Sequence, residues 1–121
     1  MKAIFNRNCI LVGWYDQQRK NVFSKEMIWI GFVYKGNFFN TSGRWLGGLI
    51  RGAYVDRTGK PVAWIEGHAP VGVNVLAVPA MPSIPMVPLT PIRPLMPLMP
   101  LRPLTPLGGW SSLDWNEYIR S

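Results

Sequence analysis

Few side chains in this sequence have the chemistry for catalysis: Cys9, His68 and the carboxylates Asp16, Glu26, Asp56 and Glu66 of its N-terminal half. A thiol nucleophile needs a base within hydrogen-bond reach, and nothing in the spacing of Cys9 and His68 brings the two together. Cys9 and Asp56 also fall on recurring turn positions, which gives each a structural reason to exist. One cysteine cannot close an intrachain disulfide, and one cysteine with one histidine cannot assemble a Cys/His zinc site. The expectation is therefore a protein that is not an enzyme, with no catalytic residue, no metal and no cofactor.

What remains is the chemistry of binding. Thirteen Lys and Arg against six Asp and Glu give a formal charge of +7, which suits nucleic acid or another anionic partner. The chain up to His68 holds ten of those basic side chains, four acidic ones and most of the aromatic rings, and basic groups beside stacking platforms bind single strands. Against this stands a plainer reading, in which Arg7, Lys25, Arg57 and Lys60 are solvated turn charges and the rings are core.

The elements that carry these residues are unevenly distributed. With 121 residues there is room for one small domain and an appendage. Residues 1–68 form an aromatic, charged head, 69–78 a linker, 79–108 a proline-rich segment and 109–121 an aromatic C-terminal segment. In the last of these, Ser111 followed by Asp114 resembles a helix-opening capping box, and a short helix or turn is expected there.

The head repeats. Windows starting at Ile4, Val22, Phe38 and Tyr54 read IFNRNCILVGWY, VFSKEMIWIGFV, FFNTSGRWLGGL and YVDRTGKPVAWI. Their third residues, Asn6, Ser24, Asn40 and Asp56, are types whose short side chains bond the backbone two residues on and start a turn. The sixth is Cys9, Met27, Gly43 and Gly59, and in the last two copies glycine suits the left-handed residue that closes a three- to five-residue hairpin loop. The ninth is aliphatic (Val12, Ile30, Leu46, Val62), the tenth small (Gly13, Gly31, Gly47, Ala63), and the eleventh is Trp14, Phe32, Gly48 or Trp64. Strand alternation places the ninth and eleventh on one face, and the small residue between them marks a crowded point.

Each window is thus a β-hairpin, with turns near Arg7–Asn8, Lys25–Glu26, Thr41–Ser42 and Arg57–Thr58. Isolated hairpins are marginal in water, so the expected fold is all-β: a pseudo-four-fold ring of four hairpins with Val12, Ile30, Leu46 and Val62 in its core. A β-sandwich is the alternative. The recurring turn, aliphatic residue, glycine and aromatic, followed by a proline-rich stretch, resembles the bacterial four-fold β-flower proteins. That resemblance implies the fold and no activity.

From Pro79 to Pro106 a proline occupies every third position, ten in strict register. Polyproline II has three residues per turn, so the prolines share one edge of a left-handed helix, which at about 3.1 Å per residue extends roughly 90 Å. The next edge is apolar and includes Leu89, Ile92, Leu95, Leu98, Leu101, Leu104 and Leu107. A glycine every third residue is missing, which excludes collagen. The ladder has no internal hydrogen bonds and does not suit a bilayer. An apolar ridge of this length marks an interface. The expected contact residues are those seven aliphatics together with Trp110 and Trp115, and the expected partner is another copy, in an oligomer or fibre-like assembly, or a foreign protein that reads the ladder. No run reaches the roughly 20 apolar residues of a spanning helix, and no signal-peptide core follows Lys2, so a cytoplasmic location is expected.

Overall fold

The computed structural model describes residues 1–68 and 108–121. Eight antiparallel strands run in chain order: β1 (Lys2–Asn6), β2 (Leu11–Asp16), β3 (Asn21–Ser24), β4 (Trp29–Tyr34), β5 (Asn37–Asn40), β6 (Trp45–Ile50), β7 (Ala53–Val55) and β8 (Pro61–Ile65). They close into a barrel in which β8 returns to pair with β1. A short helix, α1 (Trp115–Arg120), follows. The β-sandwich alternative is excluded, because a closed barrel has no second sheet. The expected proline ladder and its seven aliphatic contact residues lie outside the described residues. No helix among the described residues is long and apolar enough to cross a membrane.

The four hairpins share one turn. Asn6, Asn40 and Asp56 each accept two backbone N–H groups on Oδ1, from residues two and four further on: Asn8 and Ile10, Ser42 and Arg44, Thr58 and Lys60. Ser24 has a shorter side chain, and its Oγ accepts from Ile28. In every copy the N–H of the sixth residue donates to the carbonyl of the third, at 2.9 to 3.0 Å. The sixth residue is left-handed throughout, with φ of 60° at Cys9, 65° at Met27, 87° at Gly43 and 96° at Gly59. Cys9 and Met27 therefore adopt the conformation that glycine supplies in the other two copies.

Directly after each turn the register jumps. Ile4 pairs with Gly13 but Phe5 with Leu11, so Val12 is an extra residue in β2. The same jump leaves Ile30, Leu46 and Val62 as the extra residues of β4, β6 and β8. These are the four recurring aliphatics of the sequence, and each is the bulged residue of its hairpin. The bulge corrects one expectation, since an extra residue inverts the alternation beyond it and separates the ninth position from the eleventh. Val12, Ile30, Leu46 and Val62 join the cluster of Ile4, Val22, Phe38 and Tyr54, whereas Trp14 and Trp64 pack on the opposite strand face with Phe5 and Phe23. Leu46 and Val62 are fully buried; Val12 and Ile30 are half-buried against the same core.

Between copies the pairing is also identical. Trp14 faces Phe23, Phe32 faces Phe39, Gly48 faces Val55, and at the closing seam Trp64 faces Phe5. A Cβ at Gly13, Gly31 or Gly47 would collide with the carbonyl oxygen of Phe23, Phe39 or Val55 respectively. The crowding expected at this position is therefore with the backbone of the following copy. Two of the connections between copies are themselves tight hairpins, Lys35–Gly36 and Arg51–Gly52, with positive φ at both residues of each, the torsions of a type I′ turn.

Truncating a bulge aliphatic, Leu46→Ala, should cost about 2–5 kcal/mol in denaturant unfolding, because the side chain is fully enclosed. Arg51→Asn should stabilise the barrel by up to about 1 kcal/mol, since Asn tolerates the left-handed φ of 50° that a long side chain resists.

Candidate docking groove

The hairpin turns crowd one end of the barrel, and there the C-terminal segment seats itself. A helix as short as α1 does not hold itself together in water, so its order comes from caps and from the barrel. Asp114 is the N-cap, accepting from the Glu117 N–H at 2.8 Å while Glu117 Oε1 accepts from the Asp114 N–H. The capping box is thus Asp114 with Glu117 and not Ser111 with Asp114. Ser111 instead ties the segment to the barrel. Its hydroxyl donates to Asp56 Oδ2 and accepts from the Leu113 N–H, and its own N–H donates to the Pro61 carbonyl at 2.9 Å.

Trp115 and Tyr118 enter the core. The Trp115 ring stacks on Phe38 with centroids 6.3 Å apart and meets Tyr54 edge-on at 5.6 Å, and the Tyr118 hydroxyl donates to the Val55 carbonyl at 2.8 Å. Burial pushes the phenols of both Tyr54 and Tyr118 well above their ordinary values, which keeps both neutral. Trp115, expected as a contact residue, is therefore a core residue, and Trp110 is half-buried against the Phe5–Trp64 cluster.

The C-terminal segment breaks the four-fold symmetry. Its hydrogen bonds reach Val55, Asp56 and Pro61 of the fourth hairpin, and on that side Leu46 and Val62 are sealed. Over the first two hairpins a groove of about 500 Å³ remains, lined by apolar Leu11, Val12, Ile30, Trp115 and Ile119 and by polar groups including Lys25, Glu26 and Arg120. Ile10 also lines it, and at this seventh repeat position Ile10 and Ile28 are 57% and 64% exposed, where the third and fourth hairpins carry Arg44 and Lys60. These are the exposed large hydrophobic residues among the described ones.

The candidate catalytic groups do not converge. Cys9 lies in a hairpin turn, whereas His68 follows β8 at the opposite end, with its side chain beside Gly52. Asp16 accepts N–H groups from Gln18 and Arg19 and stands 3.7 Å from the Arg19 guanidinium; Glu66 accepts the Ala3 N–H at 2.9 Å; Glu26 lines the groove. No three His, Cys, Asp or Glu side chains among the described residues are grouped to hold a metal ion. The aromatic residues are all buried or half-buried, and none is exposed. The sequence pattern did not reveal the groove; the one hint was Ile10 at a position where the third and fourth copies carry Arg44 and Lys60.

Burial of Asp56 would raise its carboxyl, but hydrogen bonds from the Ser111 and Thr58 hydroxyls and from the Lys60 and Thr58 N–H groups outweigh it and hold the carboxyl below its ordinary value. A lowered native pKa means that the unfolded chain binds the proton more readily. The contribution of Asp56 is thus complete above the unfolded value of about 3.9 and fades as pH falls through the native one. Acid unfolding followed by tryptophan fluorescence should show this loss below about pH 4, and Asp56→Asn should lower stability at neutral pH and flatten that part of the curve.

A search among curated proteins and among solved structures returns no match for this chain. A family model does match, over residues 2–119, and its description is 4-fold beta flower protein. Four hairpins of one design closing a single ring agree with that description, and the match reaches into the C-terminal helix. The chain belongs to the 4-fold β-flower proteins.

Proposed function

We propose that this protein is a non-enzymatic, self-associating structural module in which the apolar edge of one copy's proline ladder packs on the head of another. The observation that carries this reading is the groove beside α1, with Ile10 exposed in its lining. An extended ligand with an apolar side chain every third residue offers Leu95, Leu98 and Leu101 to such a surface, and a polyproline II ligand loses little conformational freedom on docking. At about 25 cal/mol per Å², several buried leucines contribute a few kcal/mol, so several turns must engage together to offset the entropy of association.

Nucleic-acid binding is the less favoured reading. The ten basic residues of the head suit a phosphate backbone, but stacking platforms need exposed rings, and the rings here are buried or half-buried.

Light scattering across a concentration series tests the proposal. The wild-type chain should form oligomers. Leu95→Ser/Leu98→Ser/Leu101→Ser and Ile10→Asp should each shift the association midpoint at least tenfold to higher concentration, with the circular dichroism of the head unchanged. A wild-type chain that stays monomeric at high concentration overturns the reading. Association that vanishes with added salt while the leucine variant is indifferent points instead to charge and an anionic partner.

A further inference from the structure

The barrel has a second end, and the charge it exposes has one sign. At the first end, where the hairpin turns and α1 lie, exposed cations such as Arg7, Arg44 and Lys60 stand among the exposed acids Glu26, Asp114 and Glu117. The connections between hairpins form the other end, because each strand of the antiparallel ring reverses the direction of the one before it. There Arg19, Lys20, Lys35 and Arg51 are exposed, and Lys2 is half-buried where β1 begins. Both acids of that end bond the backbone: Asp16 is buried and accepts the Gln18 and Arg19 N–H groups, and Glu66 Oε1 accepts the Ala3 N–H. Among the described residues no acid is exposed there. We propose that this end docks on the surface of an anionic bilayer, with Arg19, Lys20, Lys35 and Arg51 facing the lipid headgroups. The proposal goes beyond the self-association above and uses the opposite end of the barrel, so either can fail alone.

Backbone conformation gives the first support. Lys20, Lys35 and Arg51 have φ of 58°, 49° and 50°, so each of the three connections holds a long basic residue in the left-handed region. Glycine and asparagine enter that region at less cost, and folding alone therefore gives no reason for a cation at these places. Strain of this kind, kept in all three connections, points to a task outside the fold.

The second support is that the array is fixed in place. The carbonyls of Lys20, Gly36 and Gly52 accept N–H groups from Val33, Leu49 and Ile65 of the hairpin that follows each connection, at 2.8, 2.9 and 2.7 Å. The charges thus stand on tips that are ordered before any partner arrives, which lowers the entropy lost on docking.

Shape decides between anionic partners. The three connections sit a quarter of the ring apart, and Lys2 lies in the remaining quarter. An extended nucleic-acid strand crosses such a ring along a line and meets only some of its cations, whereas a bilayer presents anionic headgroups in two dimensions and meets all of them. Single-stranded nucleic acid also calls for exposed rings to stack on, and the rings here are buried or half-buried. The exposed large hydrophobic residues, Ile10 and Ile28, belong to hairpin turns at the other end. Nothing apolar is therefore offered for insertion, and the attachment is electrostatic, strengthened by each added cation and weakened by salt.

Flotation of the full chain with lipid vesicles tests this. The chain should float with vesicles of phosphatidylcholine and phosphatidylserine, stay behind with phosphatidylcholine alone, and be released by added salt. Lys20→Asn/Lys35→Asn/Arg51→Asn should lower the partition coefficient by about tenfold or more, with the melting temperature of the barrel unchanged or raised. Arg7→Gln/Arg44→Gln/Lys60→Gln removes the same net charge from the other end and should lower it by no more than about threefold. Equal losses in the two variants, or equal flotation with both kinds of vesicle, overturn the proposal. So does tighter capture of a duplex oligonucleotide than of the phosphatidylserine vesicles through the same three side chains, which would assign this end to nucleic acid. Should the asparagine variant fail to fold, the wild-type chain answers the same question. Spin-labelled headgroups in phosphatidylserine bicelles should broaden the amide resonances of Lys20, Lys35 and Arg51 and spare those of Asn8, Ser42 and Thr58, and the reverse pattern or uniform broadening overturns the docking of this end.

Discussion

One extra residue per hairpin governs this molecule. Val12, Ile30, Leu46 and Val62 are each the bulged residue of a register that otherwise pairs evenly. A bulge bends its strand and raises the local twist, and four of them at equivalent places give these short strands the curvature to close after eight. Closure in turn removes the unpaired edges that an open sheet of such strands would expose. The bulge also turns the strand over, so a run that reads as one apolar face supplies two: an inner cluster around Ile4, Val22, Phe38 and Tyr54, and an outer one around Phe5, Trp14, Phe23 and Trp64. Both faces of the sheet carry buried rings, which is how so small a head encloses so many aromatic side chains.

The four-fold pattern is complete in the backbone and broken in the side chains. All four turns close with the same backbone hydrogen bond, and the closing seam between β8 and β1 repeats the other three. Yet a ring of four equivalent hairpins has one C-terminal segment to cover its end, so equivalence must fail there. Asp56 accepts from Ser111 as well as from its own turn, while the side chains of its counterparts Asn6 and Asn40 bond within theirs. Leu46 and Val62 are enclosed and Val12 and Ile30 are not, and the groove is the uncovered part of the same surface. The groove is thus a consequence of placing a single helix on a four-fold end.

What the sequence determined by itself was local chemistry in repeated form. The third-position side chains, the left-handed Gly43 and Gly59 and the four turns follow from interactions between near neighbours, and four copies of one hairpin leave a ring as the economical arrangement. The fine register was not legible, because a bulge is an agreement between two strands and either strand alone reads as plain alternation. Ser111, three positions before Asp114, has the spacing of a cap. Its partner is Asp56, far back in the chain, and no local motif announces that pairing.

Only the tertiary structure decided which face each residue serves and where the symmetry stops. Trp115 reads as a terminal contact residue, a surface for some other molecule, and becomes core with Tyr118 because the end of the barrel needs filling. Ile10 reads as an ordinary hairpin residue and comes to line a groove because that filling is one-sided. Turn chemistry is written in neighbouring residues and can be read from them. Burial is a property of what arrives from far along the chain, and it is set only when the barrel has closed and the last segment has found its place.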